Sequence, residues 1–193
     1  MTSQSSSKPH FLIRRFAHPW MPSLLYLPLA LLLVIISLSY QQRSILSVIL
    51  FLALGLFTWT FIEYLLHRFI FHLTQIPEPW KNLASGLHMA HHRSTDAEDL
   101  ILAPPFVSLM FGGILYLFFA LCLQSWANAA FMEAGLFIGY VIYEWMHFAA
   151  HCYQAHFSFG KYLKAYHLKH HFKNPKSAFG VTTPLWDFLF KTQ

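Results

Sequence analysis

Four long apolar stretches, at about residues 24–40, 45–66, 105–123 and 128–148, leave this chain few folds to choose from. Hydrocarbon offers a backbone no water, so a segment of this kind must satisfy its amides internally, as a helix does. About 20 apolar residues carry a helix across a bilayer core. The last three stretches meet that length; the first is shorter and Pro28 interrupts it. Only Gln41, Gln42, Arg43 and Ser44 separate the first two, and a short loop around residues 124–127 joins the last two, so each pair reads as a helical hairpin. The composition agrees: 56% of residues are hydrophobic and 11% charged, where soluble domains carry about 25% charged.

Basic residues set the orientation. Lys8, Arg14 and Arg15 precede the first stretch, and Arg68, Lys81 and Arg93 lie between the second and third. Lys161, Lys164, Lys169, Lys173, Lys176 and Lys191 follow the fourth, and only Arg43 falls on the other side. Both termini and the 67–104 segment are therefore expected in the cytoplasm of a multi-pass membrane protein, in a bacterial inner membrane or the endoplasmic reticulum according to source. The net charge of +5 belongs to these flanks, which makes anionic lipid a better partner than nucleic acid. Cys122 and Cys152 cannot make a disulfide framework. Residues 1–8 read as disordered, and the first apolar run as a retained anchor, not a cleaved signal. The expected organisation is an N-terminal cytoplasmic segment at 1–23 and a single membrane domain at 24–193.

Within this frame the histidines are unusual. Ten of thirteen fall into four clusters beside the apolar stretches: His67-x4-His72, His88-x2-His91-His92, His147-x3-His151 and His167-x2-His170-His171. Neutral imidazole is the commonest metal ligand, and ten donors suit two ions. On a helix, residues three or four apart share a face, so His147 and His151 can bind one ion. His88, His91 and His92 point one way, as do His167, His170 and His171. Adjacent residues diverge by about 100°, so one member of each His-His pair can reach one metal and its neighbour the other. His67 and His72 are five apart, and the helix is expected to end or distort between them. Some of these histidines could instead be hydrogen-bonded neighbours of a metal site.

Glu63 and Glu144 close the second and fourth stretches, four and three residues before a histidine. Each is expected to accept a proton from a ligand imidazole and fix its ring. The alternative is a carboxylate that reaches the interface or bonds a tyrosine. The two sets form an internal repeat: Glu63, His67 and His72 lead after fifteen residues to His88-x2-His91-His92, and Glu144, His147 and His151 lead after fifteen to His167-x2-His170-His171. Two similar halves, each a hairpin with a cap helix, are expected to face each other around the metals. Asp96, Glu98 and Asp99 read as a solvated loop, His10, His18 and His156 carry no signal, and Gly135 and Gly139 form a lone small-x3-small helix contact.

The clusters resemble the membrane fatty acid hydroxylase/sterol desaturase superfamily, and within it the fatty acid 2-hydroxylases of sphingolipid acyl chains. The likeness rests on Glu63-Tyr64-Leu65-Leu66-His67-Arg68-Phe69-Ile70-Phe71-His72, on His88-x2-His91-His92 with Leu100-Ile101-Leu102-Ala103-Pro104-Pro105, and on Tyr166-His167-Leu168-Lys169-His170-His171-Phe172 running to Phe179-Gly180-Val181-Thr182-Thr183-Pro184-Leu185-Trp186-Asp187. It implies an all-α membrane fold of four transmembrane helices with a cytoplasmic helical cap. It also implies a dinuclear metal centre and oxygen-dependent hydroxylation of a lipid acyl chain, here at C2. No haem-binding HPGG stretch is present, so the electrons are expected from a separate cytochrome b5-like or ferredoxin-like donor and its reductase. Imidazole donors suit zinc, copper, iron or nickel; chemistry on an apolar substrate with dioxygen selects two iron ions, which zinc can displace in purified protein. The expected enzyme is a non-haem di-iron monooxygenase with no catalytic group beyond the metals. The rivals are a sterol or carotenoid hydroxylase or desaturase and, from another class, a membrane metal transporter. A transporter wants ligands along a path through the bilayer, whereas these lie on one side.

Overall fold

Helix α1 (Met21–Tyr40) opens the described part of the chain; the computed structural model describes residues 18–72, 86–95 and 97–193, with the Asp99 side chain excepted. Residues 1–8, His10, Lys81 and Asp96 lie outside it. Pro22 sits in the first turn of α1, where a missing N–H is harmless. Pro28 does not interrupt the helix as expected: α1 runs through it to Tyr40, since losing one amide bond is tolerable where the neighbouring turns persist. After the short link, Ser44 caps α2 (Ile45–Leu65) by accepting from the Ser47 amide at 3.2 Å.

Helix α2 continues without a break into a π-helical turn, Leu66–Phe71. Among the described residues two short elements follow, α3 (Gly86–Arg93) and a 3-10 turn (Glu98–Leu100), and then α4 (Pro105–Leu123), which starts on its proline. Gln124 in the left-handed region (φ 49°) and the Ser125 cap make the tight link to α5 (Trp126–Cys152). Helices α6 (Ser158–Phe172) and α7 (Leu185–Phe190) close the chain.

Among the described residues three helices are long and apolar enough to cross a membrane: Met21–Tyr40, Ile45–Phe71 and Pro105–Leu123. They expose leucines, isoleucines and phenylalanines along their outer faces, among them Leu31, Leu46, Ile49, Ile114 and Leu121. An apolar surface so continuous belongs against lipid. The fourth stretch has a different character. Helix α5 has 27 residues, about 40 Å at 1.5 Å per residue, yet it packs against α1, α2, α4 and α6 and buries most of its side chains. A helix surrounded by protein can carry Asn128, Glu133 and Glu144, which a lipid-facing one resists.

Close approach of α2 and α5 depends on two glycines. A Cβ on Gly55 would stand 1.9 Å from the Met132 carbonyl oxygen, and one on Gly135 would stand 2.1 Å from that of Leu52. Gly139 faces Trp59 in the same seam, so the small-x3-small pair marks this contact, with Gly55 as its unforeseen counterpart. Tyr26, Trp59, Leu136, Tyr140 and Val141 fill the core below.

Candidate metal centre

All ten clustered histidines converge at one end of the bundle, in two groups of five. His67, His72, His88, His92 and His170 form one; His91, His147, His151, His167 and His171 form the other. Within each group the five ring nitrogens lie within 4.8 Å of one another.

Local helix geometry places each donor. In α3 and α6 the first and last histidines of H-x2-H-H are four apart and share a face, while the middle one turns about 100° from its neighbour. His88 and His92 thus enter the first group and His91 the second; His167 and His171 enter the second and His170 the first. The three histidines of each triplet therefore do not point one way as expected, whereas each His-His pair does divide between the groups. His147 and His151 meet in one group through ordinary α-helical spacing. His67 and His72 meet through the π-helical turn, whose i to i+5 bonding brings residues five apart to one side.

The repeat is thereby given a geometry. Each half contributes its leading pair and the outer two histidines of its own triplet to one group, and sends the middle histidine across to the other group.

The nitrogen contacts test whether a cation fits. Nε2 of His88 lies 3.1 Å from Nε2 of His67, 3.1 Å from that of His72 and 3.0 Å from that of His92. His170 Nε2 adds contacts of 2.9 Å to His72 and 3.2 Å to His92. In the second group His91 Nε2 stands 3.1 Å from both His147 and His151, and His151 stands 2.9 Å from His167. One imidazole nitrogen carries at most one proton, so His88 cannot satisfy three such neighbours by hydrogen bonding. Two donors about 2.1 Å from an ion and at right angles are about 3.0 Å apart. The donor sets therefore fit one ion each.

The rings are also in the protonation state a metal needs. Burial first, and then the neighbouring His170, holds His72 at about 4. Burial and adjacent imidazoles bring His91 and His92 to about 3 and hold His88, His167 and His171 well below the ordinary histidine range. Neutral rings offer a free lone pair.

Glu63 and Glu144 do not take the bonds expected of them. Among the described residues neither carboxylate receives an imidazole proton. Glu63 accepts instead from the amides of Val181 (2.5 Å) and Thr182 (2.9 Å) and from the Thr182 hydroxyl (2.5 Å). Glu144 accepts from the Ala103 amide at 3.3 Å. Buried amides in the straps that follow each triplet need acceptors, and these carboxylates are the ones within reach. The imidazole partners come from the strap between α6 and α7. His67 Nδ1 donates to the Phe179 carbonyl at 2.5 Å and His170 Nδ1 to the Ser177 carbonyl at 2.7 Å, which leaves each Nε2 lone pair for a metal.

Asp187, fully buried, pins the same strap by accepting from the amides of Phe179 and Gly180 at 3.0 and 2.8 Å. Sequence reasoning gave Asp187 no role; the signal was a lone acid beside Trp186 in an otherwise apolar helix. His156 and Glu98 are exposed and stand apart from both groups, as does His18 near the start of α1.

An apolar cavity of about 360 Å³ opens directly on the histidines. His88, His91 and His147 line one end; Gly112, Glu133 and Leu136 line the other. Measured along α5, His147 and Glu133 are about 21 Å apart. Tyr26 and Ser108, hydrogen-bonded to each other, give a polar station on the wall.

Comparison with known proteins accords with this geometry. The family model described as fatty acid hydroxylase matches residues 52–192. The human fatty acid 2-hydroxylase is 37% identical over 142 residues, covering 72% of this chain and 38% of the human protein. A dihydroceramide fatty acyl 2-hydroxylase of Arabidopsis thaliana is 34% identical over 175 residues, covering 90% of this chain and 72% of that one. The solved structure of full-length scs7p, in which only the hydroxylase domain is visible, matches with a TM-score of 0.83 at 32% identity, over 95% of this chain and 69% of that chain. The chain spans about 38% of the length of the mammalian relatives it matches. The match over residues 52–192 takes in all ten converging histidines, and the chain belongs to the fatty acid hydroxylase family.

Proposed function

We propose that this chain is a lipid monooxygenase that uses two iron ions and dioxygen to hydroxylate a fatty acyl chain at C2. The observation that carries the reading is the junction of two five-imidazole groups with one end of a long apolar cavity. His67, His72, His88, His92 and His170 hold one ion; His91, His147, His151, His167 and His171 hold the other. The names of the relatives, fatty acid 2-hydroxylase and dihydroceramide fatty acyl 2-hydroxylase, support a sphingolipid or related acyl substrate. Such a metal pair, once bound, supplies reductive activation of dioxygen and removal of a hydrogen atom from the substrate.

The protein's own part is placement. The Phe179 and Ser177 carbonyls fix two imidazoles with Nε2 facing inward. The apolar walls exclude water and align the acyl chain along α5. With its head group at the membrane face, the substrate presents C2 to the histidine end of the cavity, while its methyl end lies toward Leu136. The charge pattern supports a cytoplasmic histidine end in which α5 completes four spans and α3, α6 and α7 form the cap. On this reading iron is the working metal, zinc can displace it, and a cytochrome b5-like or ferredoxin-like protein with its reductase supplies electrons.

Cells expressing the chain under labelled dioxygen should yield lipids whose acyl chain has gained one labelled oxygen at C2, with His67→Ala as the blank. Label on a sterol or carotenoid ring, or a new double bond without added oxygen, overturns the C2 assignment. No oxygen-dependent lipid product, with a reductant present, overturns the enzyme reading.

A further inference from the structure

The two histidine groups follow one plan, but they are not equally braced. In the group of His67, His72, His88, His92 and His170, two rings donate Nδ1–H to strap carbonyls, His67 to Phe179 and His170 to Ser177. In the other group the Nδ1 atoms of His91, His147, His167 and His171 are buried and have no partner among the described residues.

The repeat shows where the difference arises. Thr182 follows His171 by eleven residues and Ala103 follows His92 by the same number. Glu63 in the first half holds the strap of the second through three bonds at Val181 and Thr182. Among the described residues Glu144 in the second half holds the strap of the first through one longer bond at Ala103, and its other oxygen has no partner. Asp187, sixteen residues after His171, ties the Phe179 and Gly180 amides; Ser108, at the matching place after His92, bonds Tyr26 instead. Among the described residues one strap is therefore pinned from two sides with its carbonyls against imidazoles, and the other is not.

We infer that the two metal positions are inequivalent, and that Glu63 is a positioning residue for one of them. By pinning the strap that orients His67 and His170, it makes the ion of that group the tightly held one and leaves the ion of the other group exchangeable. The inference rests on the two-metal reading above. Outer partners of ligand histidines are worth about 10–100-fold in metal affinity, so a difference of that order is expected between the positions.

The test is chelator competition on full-length protein in detergent, loaded with zinc, with zinc per chain measured at each chelator concentration. Two separate steps of one equivalent are expected, about 10–100-fold apart in chelator. His72→Ala should keep only the weak step and His151→Ala only the tight one. Glu63→Ala should bring the tight step down onto the weak one, Glu63→Gln should largely restore it, and Glu144→Ala should leave it in place. A single step of two equivalents, or a tight step that survives His72→Ala, overturns the inference. A tight step left in place by Glu63→Ala overturns the role of Glu63; should that variant fail to fold, Thr182→Val, which removes one of the three Glu63 bonds, should lower the tight step in its place, and an unmoved step overturns that role. Protein that holds fewer than two zinc ions before any chelator overturns the two-metal reading itself, and this inference with it.

Discussion

Replacing Gly135 with alanine puts a methyl group where the structure has no room. Its Cβ would lie 2.1 Å from the Leu52 carbonyl oxygen and 3.0 Å from the Leu56 amide nitrogen. Carbon and carbonyl oxygen settle no closer than about 3.3 Å, so α2 and α5 must separate by about 1 Å. A gap of that size forfeits about a quarter to a half of each dispersion contact along the seam, and overpacking of this kind costs about 1–3 kcal/mol. Gly55→Ala meets the Met132 carbonyl oxygen at 1.9 Å across the same crossing and should cost a similar amount. One displacement relieves both clashes, so the double variant should cost little more than the worse single, a coupling of about 1–2 kcal/mol. Gly113, with nothing within 4 Å of its would-be Cβ, is the control; alanine there should be neutral or stabilising by up to about 1 kcal/mol. The measurement is unfolding of the purified protein in mixed micelles by a denaturing detergent, followed by circular dichroism and tryptophan fluorescence. Because α2 leads into His67 and α5 carries His147, bound metal should fall along with stability. A Gly135→Ala cost below about 0.5 kcal/mol, or two single costs that simply add, would refute the shared-crossing argument.

His147→Ala and His151→Ala should each remove about one metal equivalent and all product while the helices remain inserted, and His156→Ala should match the parent in both; metal analysis and lipid product assay decide. Metal-free protein should also lose stability as pH falls below about 6.5. His72, His91 and His92 are held at about 4, about 3 and about 3 in the fold, so below the ordinary value the unfolded chain binds more protons than the folded one, and stability drops as protons are added. Melting temperatures of chelated protein between pH 7 and pH 5 that stay level would contradict this.

Much of the architecture was legible because it depends on neighbours along the chain. Apolar run length marked the helices to within a few residues. The five-residue spacing of His67 and His72 implied a distorted helix, and the π-helical turn is that distortion. Helical divergence split His91 from His92 and His170 from His171. Run length could not reveal that α5 is the enclosed helix, because an apolar side chain reads the same whether lipid or protein covers it. Gly55 looked like one small residue in an apolar run until Met132 was set against it.

By itself, then, the sequence determined the long apolar helices, the ten clustered imidazoles and the divergence within each His-His pair, since these follow from run length and from the rotation per residue of one helix. Only the tertiary structure decided that His91 and His170 change sides, that Glu63 bonds Val181 and Thr182 and not an imidazole, and that Phe179 and Ser177 brace two of the rings. Apart from the Ser177 brace, seven positions from His170, those are contacts between residues 56 to 119 positions apart in the chain. Helical period carries no record of them, and they are fixed only when the two halves pack and every buried amide and ring nitrogen competes for the acceptors within reach.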